Sequence, residues 1–486
     1  MSAAAALIVA GVLAGCGSTT YFDGRVLPPS GLANRVLIAI QNPSAFTKGA
    51  LQIVDAYYDI RYSYNDKTGS FSIAGYSGAL PVTIQNMPEE QFGAVYGSGD
   101  GSLSFINYQK ESSQGGGSGL SGPSSSVFVT RNQQYVFAAS QAAHVLTVID
   151  KSPINPGTFY LSLPGVYRVS VNPGGTAALA FVQNSNSIYY PLKLTAAQTI
   201  SYSGGTATWP LGAVDCEPLN SPGWCLFQAL DPTNNKPLAL DRPVKAIFSS
   251  DGGTAYVLNC GPECGGGTSG NTADTSGAGV SLLPVAPMIF LAGQTSGALP
   301  TQNALNAGKI STPGGSSNAL LAGSTFYVVG QQLMADGYFG GHLTLVNLAT
   351  NTAGAAIPIS DGQPGAVSRL ILADDNTLWI GMTQCTNGER YNNPSKFTGA
   401  TGGYGCLTMF NTSTNTPTLL ESYLGDLTGI AAVTGLHKIY VAQGGQVYIY
   451  STVDGSSMDN QYVTVNGTAY DVAYMDAITD GDNTVY

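Results

Sequence analysis

Apolar residues along this chain come in short runs, often alternating with polar ones, and Gly, Pro, Asn, Asp and Ser separate the runs. The stretch from Ile247 to Leu258 shows the unit: apolar residues, the turn Ser250-Asp251-Gly252-Gly253-Thr254, then Ala255-Tyr256-Val257-Leu258. Two such strands around a Gly turn predict a β-hairpin, because glycine supplies the positive φ that hairpin turns need. The phrase returns as Val169 to Val171, Asn172 to Thr176 and Ala177 to Phe181, and again as Leu370 to Leu372, Asp374 to Thr377 and Leu378 to Ile380. Repetition at this scale means small units, none of which buries a core alone.

Each unit reads as four strands, a to d. Strand b recurs as Val36 to Ile40, Ala94 to Tyr96, Tyr135 to Ala138, Ala178 to Phe181, Ala255 to Leu258, Phe326 to Val329, Leu378 to Ile380 and Ile439 to Val441. Strand c recurs as Leu51 to Val54, Leu103 to Ile106, Val145 to Ile149, Ser187 to Leu192, Val280 to Leu283, Leu343 to Val346, Leu407 to Phe410 and Val447 to Tyr450. Several c strands end in Asp or Asn (Asp150, Asn347, Asn411), good starts for the turn into d. Eight units of roughly sixty residues predict an all-β chain, a single β-propeller of four-stranded antiparallel blades. Seven blades with one unit wrongly split is the alternative, and the repeat is weakest over 193–243. The last inner strand, Tyr470 to Tyr474, lies at the C-terminal end and the first b and c strands at the N-terminal end, so the two ends are expected to close the ring in one blade. Closure removes the open edges on which sheets aggregate.

Tyr135-Val136, Tyr256-Val257, Tyr327-Val328 and Tyr440-Val441 open strand b, and Val148-Ile149-Asp150 closes a strand c. These units resemble the YVTN-type repeats of bacterial surface propellers over nearly all of 33–486, a resemblance that implies the fold rather than an activity. At the other end, Ala3 to Ala14 is an apolar run too short to span a bilayer, and it leads into Leu13-Ala14-Gly15-Cys16. That tetrapeptide resembles the lipobox of bacterial lipoproteins, which implies cleavage before Cys16 and lipid on its sulfur. The expected organisation is a signal peptide over 1–15, a lipidated Cys16 with a tether over 16–32, and a propeller over 33–486. The implied location is export, with lipid anchoring to the cell envelope, periplasmic or surface-facing.

Composition fits this picture. Charged residues make up 10% of the chain against about 25% in an average globular protein, while Gly (62) and Tyr (27) are plentiful. Helices are poorly served by such a mixture and short strands well served. A net charge of −11 with no cluster of Lys and Arg argues against a nucleic-acid partner. Beyond Cys16, six cysteines stand as sequence neighbours, Cys216 with Cys225, Cys260 with Cys264, and Cys385 with Cys406. Six allow 15 connectivities, but an oxidising compartment favours local disulfides. Cys260 and Cys264 also have a spacing that zinc sites use.

In a propeller the a–b and c–d turns share one face and the b–c and d–a connections the other. The long insertions fall in the second class: a d–a connection near 205–242 and b–c loops at 259–279, 331–342 and 382–406. Loops on a rigid scaffold are where binding residues collect. These carry Trp224, Tyr338, Phe339, Tyr391, Phe397 and Tyr404 among small polar residues, a composition that suits contacts to protein or glycan, and His342 stands at their edge.

Chemistry is thinly provided for. The three histidines, His144, His342 and His437, fall in different units, with His437 on the opposite face. The carboxylates Asp215, Glu217, Asp231, Asp241, Glu263, Asp274, Asp336 and Glu389 on the insertion face leave a structural calcium open, although no tight calcium-loop spacing is present. No Gly-x-Ser-x-Gly elbow appears. The leading expectation is therefore a non-catalytic binding scaffold for a protein or polysaccharide of the cell envelope, with no cofactor and no catalytic residue assigned. The alternative, by fold resemblance alone, is a metal-dependent lactonase- or lyase-like propeller.

Overall fold

The computed structural model describes residues 27–61, 71–116, 119–153, 155–194, 201–203, 206–208, 210–217, 223–262, 277–291, 308–333, 339–360, 367–383, 407–420 and 424–479. Eight antiparallel sheets follow one another as blades of a β-propeller, which decides the count for eight rather than seven. We number them from the blade that closes the ring. In blade 1 the inner strand is Thr468–Tyr474, from the C-terminal end, and it pairs with Arg35–Gln41, which pairs with Gly49–Asp55. A bridge between Gln52 and Ser72, flanked by bonds from Ile53 N to Phe71 O (3.0 Å) and Ile73 N to Leu51 O (3.1 Å), supplies its outer edge. All eight expected b strands and seven of the eight c strands lie within observed strands, and the eighth, expected from Ser187, begins one residue later at Ile188.

The turns follow the chemistry read from the sequence. Asp150 Oδ1 accepts from Ser152 N at 2.9 Å, Asn347 Oδ1 from Ala349 N at 2.9 Å and Asn411 Oδ1 from Ser413 N at 2.9 Å, each opening a c–d turn. In the hairpin at Ile247 to Leu258 it is Gly252 alone, at φ +70°, that takes the left-handed conformation.

Blade 4 departs from the expected plan. Its order is Val166–Val171, Ala178–Val182, Ile188–Lys193, Trp224–Gln228 and then Ala213–Glu217. What the sequence presents as a long d–a connection thus contains strand d itself and a fifth strand outside it. Cys216 and Cys225 face each other in register and form a disulfide, as expected. Cys260 is disulfide-bonded as well, which removes it as a zinc ligand, and its expected partner Cys264 lies outside the described residues.

Apolar side chains fill the wedges between blades. The largest cluster joins blades 3, 4 and 5 around Trp224, which meets Tyr135, Phe137 and Phe290 at ring-centroid distances of 5.9, 6.1 and 5.2 Å. Part of the expected tether also belongs to the body. Ser30 gives Glu111 a backbone bond at 2.8 Å and a hydroxyl bond at 2.5 Å, and Leu32 packs against the core of blades 1 and 2. Among the described residues no helix is long and apolar enough to cross a membrane.

Candidate functional site at the propeller axis

Inner strands of neighbouring blades do not share a backbone ladder, so their polar groups need other partners. Side chains supply them around the axis. Asp471 Oδ2 of blade 1 accepts from Ile84 N of blade 2 at 2.8 Å. Gln85 exchanges two bonds of 2.7 Å with Val129 of blade 3. Ser126 Oγ accepts from Val169 N and Ser170 Oγ from Ala246 N, each at 3.2 Å. Lys245 Nζ of blade 5 donates to Asn318 Oδ1 of blade 6 at 2.8 Å, Asn318 Nδ2 to Ser368 O of blade 7 at 3.4 Å, and Ser368 Oγ to Leu427 O of blade 8 at 3.0 Å.

A recurring irregularity decides what faces the axis. In six inner strands the register with strand b skips one residue, and the residue after the skip is Asp471, Thr83, Arg168, Lys245, Arg369 or Gly429. Such β-bulges re-aim a side chain and are common beside functional sites. Four of the six positions are charged, in a chain where charge is scarce. Gly429 is required for room: a Cβ there would lie 2.5 Å from Asp471 Oδ1 and 2.8 Å from its Cα.

The inner strands of blades 2 to 7 enclose a cavity of about 930 Å³, with Arg168, Lys245 and Arg369 in its wall. Arg369 lies 3.5 Å from Asp471, and Arg168 Nη1 reaches Val244 O at 3.4 Å. Lys245 is only 2% exposed, and its ammonium is held well below the usual lysine pKa by burial first and then by the nearby positive charges of Arg168 and Arg369. Among the described residues no carboxylate pairs with Lys245 or Arg168. The wall then runs through Phe128 and Phe248 to Pro173, Ser250 and Gly323 in the a–b turns, so the cavity extends toward the face without insertions.

The sequence-derived candidates fare differently. Trp224 is fully buried, with Nε1 donating to Asp150 Oδ2 at 3.1 Å, and this removes it from the binding face. The sequence pattern presents strand d of blade 4 as part of a loop, which is why Trp224 looks like a binding-face residue there. Phe339 begins strand c of blade 6 and is half-buried. His342 sits inside the same strand, 2% exposed, with ring nitrogens 3.2 Å from Thr344 Oγ1 and from Gly315 O. Burial pushes its pKa down to about 4, so it is a neutral core residue and not a surface one. Tyr338, Tyr391, Phe397, Tyr404, Cys16, Cys264, Cys385 and Cys406 lie outside the described residues.

Asp215 and Glu217 on the fifth strand of blade 4 accept from Ser162 N and Tyr160 N on the outer strand of blade 3, which seals that edge. Among the described residues no group of three His, Cys, Asp or Glu side chains is placed to hold a metal ion. The axial charges are legible in principle: Tyr167-Arg168-Val169, Val244-Lys245-Ala246, Ser368-Arg369-Leu370 and Tyr470-Asp471-Val472 each put a lone charge into an inner strand.

No family model and no curated protein matches this chain. Solved structures resemble it in fold. A dihydro-heme d1 dehydrogenase, NirN, in complex with DHE aligns over 93% of this chain and 79% of its own with a TM-score of 0.52 at 9% identity. A putative 6-phosphogluconolactonase from Bacteroides fragilis aligns over 91% and 98% (TM-score 0.42, 12% identity), and hydrazine synthase of Kuenenia stuttgartiensis over 81% and 100% (TM-score 0.44, 10% identity). At these identities the likeness is one of fold.

Proposed function

We propose that this protein is an exported binding propeller, held at the bacterial cell envelope by lipid on Cys16, that grips a ligand at its axis without transforming it. The lipobox-like Leu13-Ala14-Gly15-Cys16 and the YVTN-like repeats support the placement. The observation that carries the binding role is the axial cavity of about 930 Å³, walled by the inner strands of blades 2 to 7 and lined with cations at bulge positions. A volume of that order suits a small ligand or a few sugar units, within the roughly 300–1,000 Å³ of ligand pockets, so of the two partners expected from the sequence it favours polysaccharide over a folded protein. The rival reading, a metal-dependent lactonase or lyase, needs carboxylates and imidazoles converging on the axis. Among the described residues this axis gathers Arg168, Lys245 and Arg369, with the carboxylate Asp471 beside Arg369.

Two experiments test the two halves. Cys16→Ala is expected to move the protein from the membrane to the soluble fraction; full membrane retention sinks the anchor. The full chain in detergent is expected to be retained on immobilised polysaccharide from the envelope of its own cells, and Ser170→Trp, inside the cavity, or Leu372→Trp, at its exposed end, to abolish retention. Absent retention of the wild type, or equal retention by both folded variants, overturns the axial reading.

A further inference from the structure

We propose that the group recognised at the axis is an anion, the carboxylate or phosphate of an acidic sugar, held between Arg168, Lys245 and Arg369. This rests on the axial-cavity reading and adds the chemistry of the ligand.

Among the described residues the other buried cations, Arg35, Lys193 and Lys438, are each matched by acid. Arg35 is bidentate on Asp476 (2.9 and 2.6 Å) and reaches Glu111 at 3.0 Å; Lys193 lies 2.5 Å from Asp150; Lys438 lies 2.8 Å from Asp59. These are ties between blades, and charge balance explains them. Lys245 has a carboxamide for a partner and two guanidiniums for neighbours. Facing it from blades 4, 6 and 7 are Arg168, Asn318 and Arg369, and the carboxylate of blade 1, Asp471, stands against Arg369 while also accepting from Ile84 N at 2.8 Å and Val472 N at 3.0 Å. A structural tie to Asn318 calls for no cation, since a neutral donor serves as well. Positive charge withdrawn from water with no counter-charge is costly, and a buried lysine tends to shed its proton unless something supplies the counter-charge. An oxyanion does so, and guanidinium and ammonium groups bind carboxylate and phosphate through strong charge-assisted bonds.

The rest of the wall fits a sugar body. Ser126, Ser170 and Asn318 offer hydroxyl and amide groups, and Phe128 and Phe248 offer flat apolar surface further out. The chain carries a net charge of −11, so positive charge at the axis is a local feature rather than a reflection of the whole surface.

The test is calorimetric titration of the full chain with glucuronate, glucose 6-phosphate and glucose. Binding of at least one of the two acids, with glucose weaker by at least about tenfold, is expected, and the preferred acid separates a carboxylate source from a phosphate source. Lys245→Met and Arg168→Gln should each weaken that acid by at least about tenfold while Lys245→Arg retains binding, a pattern that a mere packing role would not produce. Binding of neither acid, glucose bound as tightly as the acids, or an unchanged acid affinity in both variants overturns the anion proposal. Loss of polysaccharide retention in Ser170→Trp alongside any of these outcomes would leave the axial reading standing, whereas acid binding that survives Ser170→Trp removes both.

Discussion

Lys193 and Lys245 are buried to the same degree, 3% and 2% exposed, in adjacent blades. Lys193 closes a junction: its ammonium meets Asp150 at 2.5 Å and Ser152 Oγ at 3.0 Å, and Trp224 Nε1 shares the same carboxylate at 3.1 Å. Lys245 stands at the axis beside Arg168 and Arg369, with Asn318 as its hydrogen-bond partner. Burial alone therefore says nothing about a lysine's task. What separates the two is whether the fold supplies the opposite charge; where it does not, the charged form is disfavoured, and on the reading proposed above an anionic ligand restores it.

Substitution should divide the pair. Asp150→Ala strands Lys193 and is expected to cost about 3–5 kcal/mol in denaturant unfolding. Lys245→Met removes a buried amine that has no carboxylate, and its stability is expected to be unchanged or raised by up to about 2 kcal/mol. A loss in Lys245→Met as large as in Asp150→Ala would break the comparison and make the axial lysine a structural tie.

The histidines sharpen the same contrast at smaller amplitude, with opposite signs. His342 is buried and neutral, its folded pKa of about 4 lying below the ordinary 6.5. Its unfolded form takes up a proton first, so stability is full above pH 6.5 and falls as the pH drops toward 4, by roughly 2–3 kcal/mol. His342→Gln should lack that fall in denaturant titrations at pH 7 and pH 4.5; a parallel fall in both proteins would reassign it. His437 is exposed, and its hydrogen bond to Asp375 at 2.8 Å, with the charge of that carboxylate, raises its pKa. Its contribution is present below the unfolded pKa of 6.5 and is lost as pH rises through the higher folded value. His437→Ala is expected to lower the unfolding midpoint slightly at pH 5.5 and leave it unchanged at pH 8.5; an equal change at both pH values would show that the ion pair is not the cause.

The sequence by itself determined the architecture. Alternating runs such as Ala255 to Leu258, turns such as Asn172 to Thr176 and c strands ending in Asp150, Asn347 and Asn411 are local features, each set by residues a few positions apart, so eight b and eight c strands were readable from the pattern. Blade 4 defeated it because strand d, Trp224–Gln228, comes after its own edge strand, Ala213–Glu217, and spacing along the chain no longer follows order in the sheet. The site was decided only in three dimensions. Arg168, Lys245 and Arg369 are far apart in sequence and look like isolated charges in apolar strands. It takes a register skip in each inner strand and the closing of the ring to bring them to one cavity, because convergence on an axis is a property of the circle and not of any blade.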